Sequence, residues 1–560
     1  MYVVFFFGSR DMFQNPGGIQ ALLKEGGKHF AGMDEALLKN IDAAKQIGTM
    51  TRSSFGPFGL NKLIVNHLDK HFITRDAAVI LEEMEVVHPA AKLVVMAAKA
   101  QEQECGDGTN LVTIFAGELL NHAEELLKQG IHASDVVRGY ELAIDEIVSV
   151  IKKMQAVKIV KDPRSTADLV SVLESVIATK QYGQESFVAQ LVAQACVSVM
   201  PEGKLSEFVP DNVRVATMTG SGVFANSHVV SGVVCPRDTL GNEKLKTKAK
   251  VAVYSIGIEN AGPETSGTVL IKNANELLNF TKGEESRMEE FVKSLVAAGV
   301  DAIVTGGNVQ DIALHFLNKY HILVIKCTSK FELRRLCETL HAVAVNRMGP
   351  PLPEETGYAE SIEVHEISSH KVTIVKAKDT KVSTIVLRGA TQNMLAEVER
   401  SVVDAVNIVR CICVKNEVEF CAGGGATELE VAAAVHKFGD SKTGLEQYAI
   451  HKVAEALEVV PKVLANNSGL DPDETLAALN AAHAKGQRNA CVNIEAQGRA
   501  DSAVIDAVEA GIFDHIGSKV WALRLAMDAV LTVLRIQHII VSKQAGGPRA
   551  PKGESIVDDD

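Results

Sequence analysis

No CxxC pair and no ladder of cysteine and histidine at zinc spacing occurs in these 560 residues. The nine cysteines are scattered, with Cys411 and Cys413 the closest pair, which leaves no motif for a structural zinc. An odd count in a long chain fits reduced thiols better than a disulfide framework. A basic stripe is missing too, and the formal net charge is −13. A surface that reads phosphate backbones needs clustered lysine and arginine, so no nucleic acid is expected as partner. Long apolar runs are also absent from the start of the chain. Residues 2–7 are six apolar or aromatic side chains, short of the roughly 7–15 behind a basic segment that a signal peptide needs and of the ~20 that span a bilayer. They read as a strand or a ragged terminus, and no membrane is expected as partner. Several catalytic signatures are lacking as well: there is no GxxxxGK followed by Ser or Thr, no kinase landmark, no HExxH and no GxSxG elbow.

What is present is ordinary in bulk. Apolar residues make up 46% and charged residues 23% of the chain, as in soluble proteins with large cores. At roughly 150 residues per domain the length suggests about three or four domains. The first part reads as helices with one hairpin. Leu37, Leu38, Ile41, Ala44 and Ile47 recur at helical spacing, "KLIV" (62–65) and "HFIT" (71–74) form two short strands, and helices follow from Lys92 to Cys105 and from Leu111 to Gln129. The middle holds four β-branched runs, at 250–258, 300–307, 322–327 and 382–389, with helical stretches such as "DIALHFLNKY" and "FELRRLCETL" between several of them. That alternation marks a crossover α/β unit. Residues 279–296 are charged early and then amphipathic, which reads as a helix partly standing off the body. Beyond about residue 420 helices return, and "VWALRLAMDAVLTVLRI" (520–536) is apolar almost all round, hence buried on most faces. The simplest layout is one helical body made from both chain ends with an α/β module inserted between them. The tail is rich in Pro, Gly and charge and is expected to be disordered.

Three glycine-rich loops and a few carboxylates carry the chemistry. In "SSFGPFGLNK" (53–62), Gly56 and Gly59 let the backbone approach a ligand and Pro57 stiffens the loop; such N–H groups bind phosphate oxygens. The plainer alternative is a helix-to-strand turn. In "CGDGTN" (105–110), two glycines leave room for a polyphosphate and Asp107 offers one hard oxygen, which suits Mg²⁺, while Thr109 stands at a helix N-terminus that favours negative charge. Alternatively Asp107 only caps that helix. Asp76 lies where a strand passes into a helix, again a capping position. Asp404 is mid-helix beside an apolar stripe, where a surface pair with Arg400 is worth only a few tenths of a kcal/mol. "CAGGGATELE" (421–430) either cradles a sugar or base or makes a tight turn.

Taken together, "GPFGLNK", "DAAVIL", "EQECGDGTN", "AGELL", "VLRGAT", "ERSVVDAV", "GGGATELE" and "NSGLDPDETL" resemble the group II chaperonins, in family order and over nearly the whole chain from about residue 20. Only the first thirteen residues depart from the family's start. The resemblance implies a multidomain α and α/β fold: a mainly helical equatorial ATPase domain from residues 1–162 and 419–545, a hinge-like intermediate domain from 163–228 and 385–418, and an inserted α/β apical domain at 229–384. The apical domain's helical protrusion, near 275–295, would serve as a lid, and 546–560 would be the disordered tail. It implies ATP and Mg²⁺ as ligands, seven paralogous subunits as partners in a stacked eight-membered double ring, and non-native clients such as actin and tubulin in the cytoplasm.

Site roles carry over by motif. Asp107 corresponds to the metal-binding aspartate, with Gly106, Gly108, Thr109 and Asn110 around the phosphates. Ser54, Phe55, Gly56 and Pro57 belong to the first phosphate loop. Asp76 and Asp404 match the carboxylates that orient and polarise the attacking water. Lys180 matches a lysine that senses the γ-phosphate, Gly424 lies against the nucleoside and Asp514 matches a ribose-binding acid. Two departures bear on the hydrolysis rate. Arg75-Asp76-Ala77 stands where the family usually has Asn-Asp-Gly, and that arginine could neutralise Asp76, pull it out of line or point to solvent. Asn110 replaces a hydroxyl. A ring subunit that binds nucleotide but hydrolyses it weakly is therefore one alternative, and a free-standing small-molecule phosphotransferase is another.

Overall fold

The computed structural model describes residues 28–541 except 31–32, 202, 221–223, 260–273, 368–369, 379–380, 497–502 and 537–538. The expectations for residues 2–7 and for the tail lie outside it. Helices α1 (Met33–Arg52), α2 (Ala77–Glu83), α3 (Pro89–Glu104), α4 (Thr109–Lys128) and α5 (Ala133–Lys153) open the chain, with the hairpin Lys62–Val65/His71–Thr74 between the first two. α3 begins on a proline, whose missing N–H costs nothing at a helix start. α1 and α4 cross at two glycines. A Cβ on Gly48 would stand 2.8 Å from the Thr113 carbonyl oxygen and 2.9 Å from Gly117 Cα, so only hydrogen fits the crossing.

Helices α6 (Thr166–Ala178) and α7 (Glu185–Val199) come next, and α8 (Ala274–Ala297), α9 (Asp311–Lys319) and α10 (Lys330–Leu340) belong to the middle of the chain. The six-stranded sheet there runs Leu323–Lys326, Ala302–Thr305, Leu245–Tyr254, Gly357–Ile367, His370–Lys376, Val233–Cys235. Its first three strands are parallel and the rest antiparallel. Parallel strands lie between helical layers and are apolar on both faces. Val251 and Val253 pack with Leu333, Leu336 and Leu340 of α10. Ala252 and Tyr254, pointing the other way, pack with α8 and α9. The C-terminal half of α8 is anchored rather than free: Met288, Val292 and Leu295, one turn apart, are all buried.

The fourth β-branched run departs from the expected crossover unit. Ser383–Gly389 leaves the large sheet and pairs parallel with Val213–Thr219 and antiparallel with His228–Ser231. This small sheet packs with α6, α7 and α11 (Gln392–Val414) over a separate apolar core. Helices α12 (Ala426–Asp440), α13 (Glu446–Leu457), α14 (Val459–Asn467), α15 (Pro472–Ala484) and α16 (Ile516–Leu534) complete the chain. They rejoin the opening helices. One core holds Ile41, Phe115 and Ile147 together with Val435, Val453, Leu523 and Met527. α16 is buried on most sides, as its composition requires. Among the described residues no helix is long and apolar enough to cross a membrane.

Candidate nucleotide site

The helical body meets the α6–α11 layer around a cavity of about 460 Å³. Ser54 to Pro57, Asp107 to Asn110, Lys180, Asp404, Gly424 and Asp514 all line it. Asp76 and Gly106 stand just behind the wall. The glycines explain how the loop after α3 can do this. Gly106 and Gly108 adopt φ of +75° and +83°, a region open to glycine but strained for other residues. A Cβ on Gly106 would meet the Asn407 side chain of α11 at 2.3 Å.

The loop presents Asp107 as a carboxylate with little support. Its Oδ1 accepts the Gly108 N–H at 2.7 Å, and Gln101 Nε2 holds its carbonyl at 2.7 Å. Burial pushes its pKa up, opposed only by the Gly108 N–H and the charge of Lys180. It does not cap α4, whose N-cap is Gly108 with no side-chain bond. Among the described residues no group of three or more His, Cys, Asp or Glu could hold a metal ion. A cation here would therefore take one protein carboxylate and find its other ligands in phosphate and water.

Opposite this loop lies a buried charge cluster. Lys180 Nζ is 2.8 Å from Asp76 Oδ2 and 2.5 Å from Asp404 Oδ2. Burial works against its ammonium, yet the two carboxylates outweigh it and hold it charged above the ordinary lysine range. Burial also works against the Asp76 carboxylate, but Lys180, the Ala78 N–H and the Thr109 hydroxyl hold its pKa below the usual value. Asp76 thus caps α2 and joins the cluster as well. Asp404 goes the other way. Burial lifts its pKa well above the ordinary range; Lys180 opposes this without cancelling it, and Asp76 and Asp107 push the same way as burial. One ammonium among three carboxylates leaves a negative excess, and Asp404 carries it. The surface pair with Arg400, the plainer alternative for Asp404, is absent, since Arg400 turns to Glu397 at 3.1 Å.

The two departures behave differently from what the sequence suggests. Arg75 neither neutralises Asp76 nor points to solvent. Its Nη1 donates to the Pro57 carbonyl at 2.8 Å and the Gly59 carbonyl at 3.4 Å, and its Nη2 donates to the Lys180 carbonyl. The Asn110 amide is spent on main chain: Oδ1 accepts the Ala77 N–H at 2.8 Å, and Nδ2 donates to the Ser54 and Arg75 carbonyls. It knits the first loop, the Asp76 turn and α4 together.

At the far end of the cavity Lys519 Nζ lies 2.7 Å from Asp514 and 2.8 Å from Glu428. Lys519, Glu428 and the hub Glu397, which accepts the Arg75 N–H at 3.0 Å, are not singled out by sequence. A lysine directly before the apolar run of α16 is the signal that points to Lys519, because a buried cation needs a partner.

The arrangement can grip a phosphate chain, hold one divalent cation and place two carboxylates near a water. Comparison with known proteins identifies the family. The TCP-1/cpn60 chaperonin family matches residues 47–544. T-complex protein 1 subunit theta of Homo sapiens is 45% identical over 545 residues, covering 97% of this chain and 98% of the relative. The protein of that name from Arabidopsis thaliana is 43% identical over 541 residues, covering 96% and 97%, and that from Dictyostelium discoideum is 43% identical over 545 residues, covering 97% and 100%. With nearly its whole length matched, the chain belongs to the TCP-1/cpn60 chaperonin family.

Proposed function

We propose that this chaperonin subunit binds ATP with Mg²⁺ in the cavity and hydrolyses it to drive protein folding. The observation that carries the reading is the Lys180 bridge between Asp76 and Asp404, three residues from three separate elements facing a glycine-walled carboxylate. Hydrolysis of a phosphoanhydride asks a protein mainly for positioning and charge stabilisation. Asp107 fits a Mg²⁺ that keeps its waters and phosphate oxygens and takes a single carboxylate. Bound there, the ion would neutralise phosphate charge. The chain's own groups would do the rest. The Gly56 N–H and those at the start of α4 bind phosphate oxygens, Asp76 orients the attacking water and Asp404 accepts its proton. Lys180 balances charge on the terminal phosphate. A base whose proton affinity is lifted by burial suits that work near neutral pH.

Asp404 belongs to α11, apart from both phosphate loops. Motion of the α6–α11 layer against the helical body would carry it in and out of range, coupling hydrolysis to closure of a lid. The similarity to theta subunits supports a place in a hetero-oligomeric double ring of paralogues that encloses non-native cytosolic proteins, with actin and tubulin as expected clients. Weak hydrolysis loses support, because Arg75 leaves the Asp76 carboxylate alone. Sizing the native particle tests the reading: about sixteen subunits are expected from two stacked eight-membered rings, with this chain labelled by a photoreactive ATP analogue. A monomer or dimer would favour a phosphotransferase instead.

A further inference from the structure

We propose that Arg75 is a positioning residue for hydrolysis: its guanidinium ties the first phosphate loop to the turn that carries Lys180, and so fixes Lys180 between Asp76 and Asp404. The inference rests on the nucleotide-site reading above and adds a residue to it. Arg75 spends its fork on carbonyl oxygens from two segments far apart in sequence, Pro57 and Gly59 on one side and Lys180 on the other. Its own N–H is fastened to Glu397 of α11 at 3.0 Å, and its carbonyl receives Asn110 at 3.2 Å. One residue therefore touches the phosphate loop, α4, α11 and the Lys180 turn. A planar guanidinium can serve acceptors on two segments at once, which a lysine ammonium on a flexible stem does poorly.

The turn itself is short. It leaves α6 through the Lys180 and Gln181 N–H groups, both bonded to the Ile177 carbonyl at 3.0 and 2.8 Å. Its far side is held by Tyr182, whose ring packs on Phe58 at 5.1 Å and whose hydroxyl donates to Glu495. The Arg75 bond holds the Lys180 carbonyl, on the side of the residue away from α6. Loss of it frees the backbone from which the Lys180 side chain reaches two carboxylates. A displacement of about 1 Å at a reacting centre can cost roughly a hundredfold in rate.

The test uses assembled particles carrying the full chain as wild type, Arg75→Ala or Arg75→Lys. In the nucleotide-free particles, amide hydrogen exchange is expected to rise in Arg75→Ala at residues 55–60 and 178–184 together. With a photoreactive ATP analogue cross-linked to this chain, conversion of bound ATP to ADP is expected to slow about tenfold, while the concentration needed for half-maximal labelling changes less than about twofold. Arg75→Lys is expected to recover part of both effects. Conversion by Arg75→Ala at the wild-type rate overturns the inference, as does faster exchange confined to 55–60. A wild-type chain that takes no label sinks the nucleotide reading itself, and the role of Arg75 with it. Labelling and conversion by wild type with no effect of the substitution sinks the Arg75 role alone.

Discussion

Lys180 Nζ meets Asp404 Oδ2 at 2.5 Å, and both side chains are almost wholly buried. A buried ion pair is weak evidence for stability, because desolvation consumes most of the Coulomb gain. The pair makes more sense as stored geometry: a cation and a base kept beside the cavity, each placed by its own element.

Asp404→Ala is expected to leave ATP binding intact and to slow hydrolysis by about a hundredfold or more. The ratio of ATP to ADP retained on this chain after a chase measures it. Loss of binding would mean that Asp404 works on the ground state and not on the water.

The pH profile should carry the same signature. Hydrolysis requires ionised Asp404, whose pKa is lifted by burial and by Asp76 and Asp107. The rate is therefore expected to fall with pH through a value above the ordinary carboxylate pKa of about 4. Lys180→Met removes the charge that favours ionised Asp404, so the acid limb is expected to move further up. A limb that stays put or moves down rejects the assignment. Asp76 has the opposite sign. Held below its ordinary value, it contributes stability above about pH 4 that is lost as pH falls through its lowered pKa.

Asp107→Asn should trade function against stability. The folded-state pKa of Asp107 is raised by burial, so folding works against its ionised form. The substitution is expected to stabilise the nucleotide-free protein by about 1 kcal/mol. It should also abolish the added thermal protection that Mg²⁺ with ATP confers on the parent. Thermal unfolding with and without ligand measures both, and an unchanged ligand shift would remove Asp107 from the cation site.

Gly48→Ala is expected to destabilise the helical body by about 1–3 kcal/mol. Its new methyl faces rigid backbone of α4 at 2.8 and 2.9 Å and cannot be accommodated by a rotamer change. Denaturation midpoints compared with those of Gly130→Ala separate the two effects, since nothing lies within 4 Å of a Cβ at Gly130 and any cost there is one of backbone conformation alone.

Much of this was readable from local pattern. Helical spacing from Leu37 to Ile47 and the β-branched runs at 250–258 and 300–307 announce their elements, because burial of one face is a local periodicity. The strands Gly357–Ile367 and His370–Lys376 give no clear signal, since charged residues interrupt them without a period of two. The strand partners of 382–389 were not readable, because partner choice among strands is not a local property. The glycine loops and Asp107 were visible, as backbone freedom and a lone acid stand out in a row of letters. What sequence could not supply is direction. Arg75 beside Asp76 reads as a charge neighbour, yet the guanidinium runs along the strand end to carbonyls 16 and 18 residues away. Arg400 reads as the partner of Asp404, yet the helix turns it to Glu397.

The core shared by both ends of the chain has a consequence for synthesis. α1 to α5 leave the ribosome long before α12 to α16 exist, and the apolar surface they later share with those helices is open in the interval. At about 5–20 residues per second that interval lasts on the order of tens of seconds, while the sheet-centred middle can already close on itself. From the time Lys376 emerges until α16 is made, a nascent chain of this kind is a folded insert behind an unfinished helical half that is open to premature association.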